Sequence, residues 1–180
     1  AVSLILALAE FSCGPRFVCL KMISASAKIR APLALIGICN VLSQMVEEFT
    51  IRVLPSVEIL SYACGKQGFG HSNAKLRTAA SELLVSIYAQ AGESVVEKIK
   101  SSVNAAGMKT LQKKFEGVEV LSKVEAKRQV SQDLVSEIAS ESEASVKRVD
   151  ISSNLTYVFV FFLCLFVHTQ THTRTGLNFK

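Results

Sequence analysis

The chain has 180 residues, 49% of them apolar, with a net charge of +5 and no tryptophan. That is enough apolar material for one domain with a continuous core. Residues 1–118 hold thirteen Lys/Arg against eight Glu and no Asp (+5), without the dense basic clusters and interleaved aromatics of a nucleic-acid binder, so an acidic protein surface is the better-matched partner.

The elements follow in order. Ala1 to Ala9 reads as the end of a buried helix in a fragment of a longer protein. Gly14-Pro15 interrupts it, and Pro15 suits a first helical turn. Phe17, Val18, Leu20 and Ile23 form the inner face of a short helix, and a loop of small residues runs from Ser24 to Ala27. The run Lys28–Phe49 places Leu33, Ile36, Val41, Met45 and Phe49 at helical spacing, with Pro32 in its first turn. Pro55 opens a further helix with Val57, Ile59, Leu60 and Ala63 inward. Gly65, Gly68 and Gly70 end it.

Ser72 or Asn73 can cap the next helix, whose apolar set is Leu76, Ala80, Leu83, Leu84, Ile87 and Tyr88, stopped by Gly92. Segments at about 93–105 and 108–118 read as a closing helix pair, with Val95, Val96, Ile99, Val103, Leu111 and Phe115 inward. No segment alternates long enough to predict a sheet.

From 119 to 150 the chain turns rich in Ser, Glu and Lys, with five basic and seven acidic residues (−2). Val130, Leu134 and Ile138 keep a thin apolar stripe, which predicts an exposed charged helical linker. Residues 151–180 are an apolar tail ending in a His/Thr-rich stretch. Its uninterrupted run, Tyr157–Val167, would span about 17 Å as a helix, short of the roughly 30 Å of a bilayer core. A membrane role is therefore disfavoured. The tail reads as a sequence foreign to the folded protein, with a tail anchor as the alternative.

One phrase recurs. Ser26-Ala27-Lys28-Ile29-Arg30 and Asn73-Ala74-Lys75-Leu76-Arg77 lie 47 residues apart, each ahead of an apolar helical run. A period of that length with two helices per unit belongs to HEAT-like helix-pair solenoids. In such a stack equivalent loops share one edge, so both Lys-x-Arg sequences would face one acidic partner.

The segment His71-Ser72-Asn73-Ala74-Lys75-Leu76-Arg77-Thr78-Ala79-Ala80-Ser81-Glu82-Leu83-Leu84 resembles the penultimate repeat of a TOG domain of the Dis1/XMAP microtubule polymerase family. Pro15-Arg16-Phe17-Val18 and Glu48-Phe49 resemble the preceding repeat. Tyr88 to Gly92 and the Phe-Glu-x-Val ending within Leu111–Val118 resemble the final helix pair. The similarity covers about residues 10–118, the last three of six repeats. It departs from the family at Ser26-Ala27, often Asn-Pro, and near Ala105, where a Pro is usual.

The resemblance implies an all-α partial solenoid (1–118) that binds the tubulin heterodimer at the microtubule plus end through its intra-repeat loops. It assigns the contacts to Lys28, Arg30, Asn73, Lys75 and Arg77, in loops Ser24–Arg30 and Gly70–Arg77. It also implies a cytoplasmic, cytoskeletal location (microtubules, spindle pole or centrosome, kinetochore), a part in microtubule polymerization and spindle organization, and no cofactor or enzymatic activity. The rival readings are a generic HEAT scaffold for another protein and a small tail-anchored cytosolic adaptor.

Other constellations are weaker. Gly65-Lys66-Gln67-Gly68-Phe69-Gly70-His71-Ser72 has phosphate-loop spacing, but His71 replaces the required lysine and a helix precedes it. Cys164, His168 and His172 are spaced by four yet lack a fourth ligand for zinc. No Asp precedes Asp133 to complete a Ser-His-Asp set with His71. The five cysteines show no paired spacing, which indicates a reducing compartment rather than a disulfide framework. Arg16 near Cys13 and Cys19 could activate a thiol, but burial is the better reading of both. No basic region precedes Val2 to make a secretory signal.

Overall fold

A computed structural model describes residues 2–121 and 126–128, and every regular element among them is helical. In order these are α1 (Val2–Phe11), α2 (Pro15–Ser26), α3 (Pro32–Phe49), α4 (Ser56–Cys64), α5 (Ala74–Ala91), a 3₁₀ turn (Gly92–Val95), α6 (Val96–Ser102) and α7 (Ala105–Phe115). Pro15 and Pro32 each occupy a first turn, where no N–H is needed. Asn73 and Asn104 cap α5 and α7 through their side chains.

The helices pair as α2–α3, α4–α5 and α6–α7, with α1 packed on α2. Across pairs, α2 packs on α4 and α4 on α6, while α3 packs on α5 and α5 on α7. That makes two layers, an all-α HEAT-like solenoid. Its main seam is α3 against α5. Leu35, Ile38, Leu42, Met45 and Phe49 on α3 and Leu76, Leu83, Leu84 and Ile87 on α5 are all fully buried. At the rim of that seam Ser43 Oγ lies 2.9 Å from Ser86 Oγ. The Gln90 amide donates to Val46 O (2.6 Å) and accepts from the Ile51 N–H (2.8 Å).

Several boundaries and faces differ from the sequence expectation. α2 continues to Ser26, so the loop of small residues is shorter than Ser24–Ala27, and α3 starts at Pro32 rather than Lys28. Phe17, Leu33 and Val57, expected inward, are 41%, 47% and 60% exposed. Each lies in the first turn of its helix, beside the stripe that the neighbouring layer covers. On α3 that stripe runs through Leu35, Ile38 and Leu42. The closing pair appears with slightly shifted ends, and Leu111 and Phe115 are buried as expected, with Phe115 stacked on Tyr88 at 4.3 Å.

After α7 the chain turns back across the helix ends. The Leu121 N–H donates to Ala89 O at 2.9 Å, and the Arg128 N–H to Glu48 O at 3.0 Å. The Arg128 guanidinium bridges α3 and α1, meeting Glu48 Oε2 at 3.2 Å and Glu10 Oε2 at 2.6 Å. The hydrogen bond that Arg128 donates to Glu10, with the carboxylate's charge, holds the Arg128 pKa above the usual value against the opposing effect of desolvation. Thus the described part of the expected linker lies against the helical stack. The apolar tail and the Cys164/His168/His172 group lie outside the described residues. Among the described residues no helix is long and apolar enough to cross a membrane.

Candidate protein-interaction edge

Each helix pair is joined by an intra-pair connection: residues 27–31 within the first pair, 65–73 within the second and 103–104 within the third. The second is bonded to Ser26, the last residue of α2, where the first begins. Gln67 Nε2 donates to Ser26 O at 2.7 Å, and Ser26 Oγ donates to Gln67 Oε1 at 3.0 Å. One glutamine side chain therefore sets the spacing of the two connections. They lie on a common edge, as the repeat predicted.

The cations sit where that edge meets solvent. Lys28 and Arg30 are exposed in the first connection, and Lys75 and Arg77 are exposed in the first turn of α5. Thus the expected loop Gly70–Arg77 splits into a loop ending at Asn73 and a helix start that carries both cations. None of the four forms an ion pair among the described residues. The structure also gives two of the candidates local duties. Asn73 Oδ1 accepts from the Lys75 and Leu76 N–H groups at 3.0 and 3.2 Å, capping α5. Arg77 Nη1 donates to His71 O at 3.0 Å and Ser72 O at 2.6 Å, bracing the loop that precedes its own helix. Lys28, Arg30 and Lys75 have no such side-chain duty among the described residues.

The glycine-rich run is not a phosphate cradle. It follows α4, and its amides turn inward: Phe69 N–H donates to Ala63 O, Gly70 N–H to Gly65 O and His71 N–H to Gly68 O. A phosphate would need those donors free. Nor are the described thiols activated. Burial raises Cys13, and it pushes Cys19 up to about 12 and Cys39 and Cys64 up to about 11. The activating influence of Arg16 weighed from the sequence is thus outdone by desolvation at Cys13. No group of His, Cys, Asp or Glu among the described residues is arranged to hold a metal ion.

Sequence reasoning missed Gln67 and Ser26, because a polar residue in a loop signals nothing until its partner is known. It also missed Lys114 on α7, whose Nζ donates to Ser81 Oγ on α5 at 2.6 Å.

Residues 1–115 match the family model described as XMAP215/Dis1/CLASP, TOG domain. No curated protein and no solved structure matches the chain. The matched stretch runs from α1 to the last residue of α7, and so takes in α1 as well as the three helix pairs in which the sequence resemblance was seen. The chain belongs to the XMAP215/Dis1/CLASP family of TOG domains.

Proposed function

We propose that this chain binds the tubulin heterodimer along the edge formed by its first two intra-pair connections, within a larger protein that promotes microtubule growth at plus ends. Family membership supports a microtubule-related, cytoskeletal role and a binding module rather than an enzyme. The observation that carries the finer reading is the Gln67–Ser26 pair, which ties the second connection to the end of α2, where the first connection with Lys28 and Arg30 begins. Tubulin is acidic, and cations at fixed spacing on a narrow rim suit such a surface. Lys28, Arg30 and Lys75 are the direct contacts in this reading. Asn73 and Arg77 contribute mainly by shaping the second connection.

The proposed organisation is a TOG module over 1–118, followed by a charged segment (119–150) and the apolar tail (151–180). The module corresponds to the last three repeats of a TOG domain, and its sites of action are spindle poles or centrosomes and kinetochores. Each exposed ion pair adds roughly 0.2–1 kcal/mol, so the three direct contacts together give roughly 0.6–3 kcal/mol, and the loops must act jointly.

The test is co-elution of the full chain with soluble tubulin on a sizing column. Lys28→Glu with Lys75→Glu should abolish or strongly reduce co-elution while the helical circular dichroism signal stays unchanged. Undiminished co-elution of a still-helical double variant would sink the assignment to these loops. A generic HEAT scaffold would then be the better reading.

A further inference from the structure

A groove of about 760 Å³ lies between α5 and α7, below the second and third connections. We propose that it receives a short acidic segment of a partner protein, one carrying two carboxylates. Its walls are low because they are built from small side chains: Ala74, Thr78 and Ser81 on α5, and Ala106, Gly107 and Thr110 on α7. Gly107 lets α7 approach closely, since a Cβ there would lie 2.6 Å from Phe69 Cε1.

The charge in the groove has one sign. Arg77 and Lys114 line it, no acidic side chain among the described residues does, and neither cation has a carboxylate partner there. Both are held in place. Arg77 is tied to the His71 and Ser72 carbonyls, and Lys114 to Ser81 Oγ. The first turns of α5 and α7 contain no acidic residue, so the helix dipoles there, whose leading N–H groups are capped by Asn73 and Asn104, add modestly to the positive field.

Two cations held at separate points select an occupant with two carboxylates. Arg77 reaches back to the loop before α5, at the His71 and Ser72 carbonyls, while Lys114 is held further along α5, at Ser81. The α7 wall from Ala106 to Lys114 runs about 12 Å, room for three to four residues of an extended chain. A free phosphate would reach one cation at a time.

This surface shares Arg77 with the rim of the tubulin reading but takes in neither Lys28 nor Arg30, and its occupancy does not depend on that reading. The test is fluorescence anisotropy at low salt, using the full chain and a labelled Gly-Glu-Gly-Glu-Gly peptide beside its Gln counterpart. The Glu peptide should bind more tightly, and a peptide with only one of its two Glu residues replaced by Gln should bind with intermediate affinity. Lys114→Gln and Arg77→Gln should each cost about two- to five-fold. Thr110→Phe, which fills the groove without touching charge, should also weaken binding. Lys28→Glu should leave peptide binding intact, so failure here and failure of tubulin co-elution remain separable.

Four results would overturn the proposal. Equal binding of the Glu and Gln peptides would be one, and an unaffected Thr110→Phe variant a second. A third would be displacement of the peptide by an equal concentration of inorganic phosphate. The fourth would be a rise in peptide affinity on Glu141→Gln with Glu143→Gln, which would assign the groove to this chain's own Glu141-Ser142-Glu143.

Discussion

Three reversals between successive helices share one backbone conformation. Gly14 (φ 73, ψ 146), Thr50 (φ 68, ψ 149) and Gly92 (φ 62, ψ −148) stand at the junctions before α2, after α3 and after α5. That region is essentially reserved for glycine, and a side chain held there costs about 1–3 kcal/mol. Thr50 is the one residue of the three that bears the strain. Thr50→Gly should therefore raise the urea midpoint, by about 1 kcal/mol after allowing for the greater freedom of glycine in the unfolded chain. A lower midpoint would mean that the buried Thr50 side chain stabilises the turn more than its backbone strains it. Asn73→Ala should lower stability by about 1 kcal/mol, the usual value of a cap, read as a fall in melting temperature. The buried thiols set an alkaline limit. Their folded pKa values lie above the unfolded value near 9, so their stabilising effect is complete below about pH 9 and is lost as pH rises toward 11 to 12. The urea midpoint should fall between about pH 8 and pH 10, and fall less in Cys19→Ala. A flat profile in the parent chain would contradict the burial of Cys19.

At the scale of elements, α5 was readable from end to end. Its six inward residues, its asparagine cap and its stop at Gly92 are all found. It is long, bounded by a cap and a glycine, and buried on one broad face, so period alone locates it. The short α4 was harder. In nine residues the apolar pattern does not fix the inner face, and Val57 comes out exposed. The return of the chain after α7 left no trace in the sequence. Arg128 and its partners Glu10 and Glu48 are 118 and 80 residues apart, and a charged stretch reads the same whether it is docked or free. The docking makes a prediction of its own. Arg128→Ala should speed hydrogen exchange at the Leu121 and Arg128 amides while leaving Leu42 and Ile87 in the α3–α5 seam protected. Equal protection of Leu121 in both proteins would show that this backbone contact is held without the guanidinium. Loss of protection throughout would show that the bridge supports the whole stack.

For the whole molecule, the repeat of Lys-x-Arg foretold that two basic connections share an edge, but not what fixes their separation. That depends on a side chain from one pair hydrogen bonding to the other, and no periodicity encodes it. Gln67 supplies the link through two bonds to Ser26, so its removal tests whether the edge works as a unit. In Gln67→Ala all four cations remain, the helix caps are untouched and the α3–α5 seam is unchanged. Stability should fall modestly, by about 1–2 kcal/mol for two hydrogen bonds. If tubulin is met by both connections at once, the freed loops must be ordered again on binding. Retention on tubulin should then weaken severalfold although net charge is the same. A double-variant cycle with Lys28→Glu gives the deciding number. When the loops act jointly, the Lys28→Glu penalty shrinks in the Gln67→Ala background, because the first connection no longer stands in register with the second. Strictly additive penalties would show two independent charge patches, and the shared rim would lose its role in recognition.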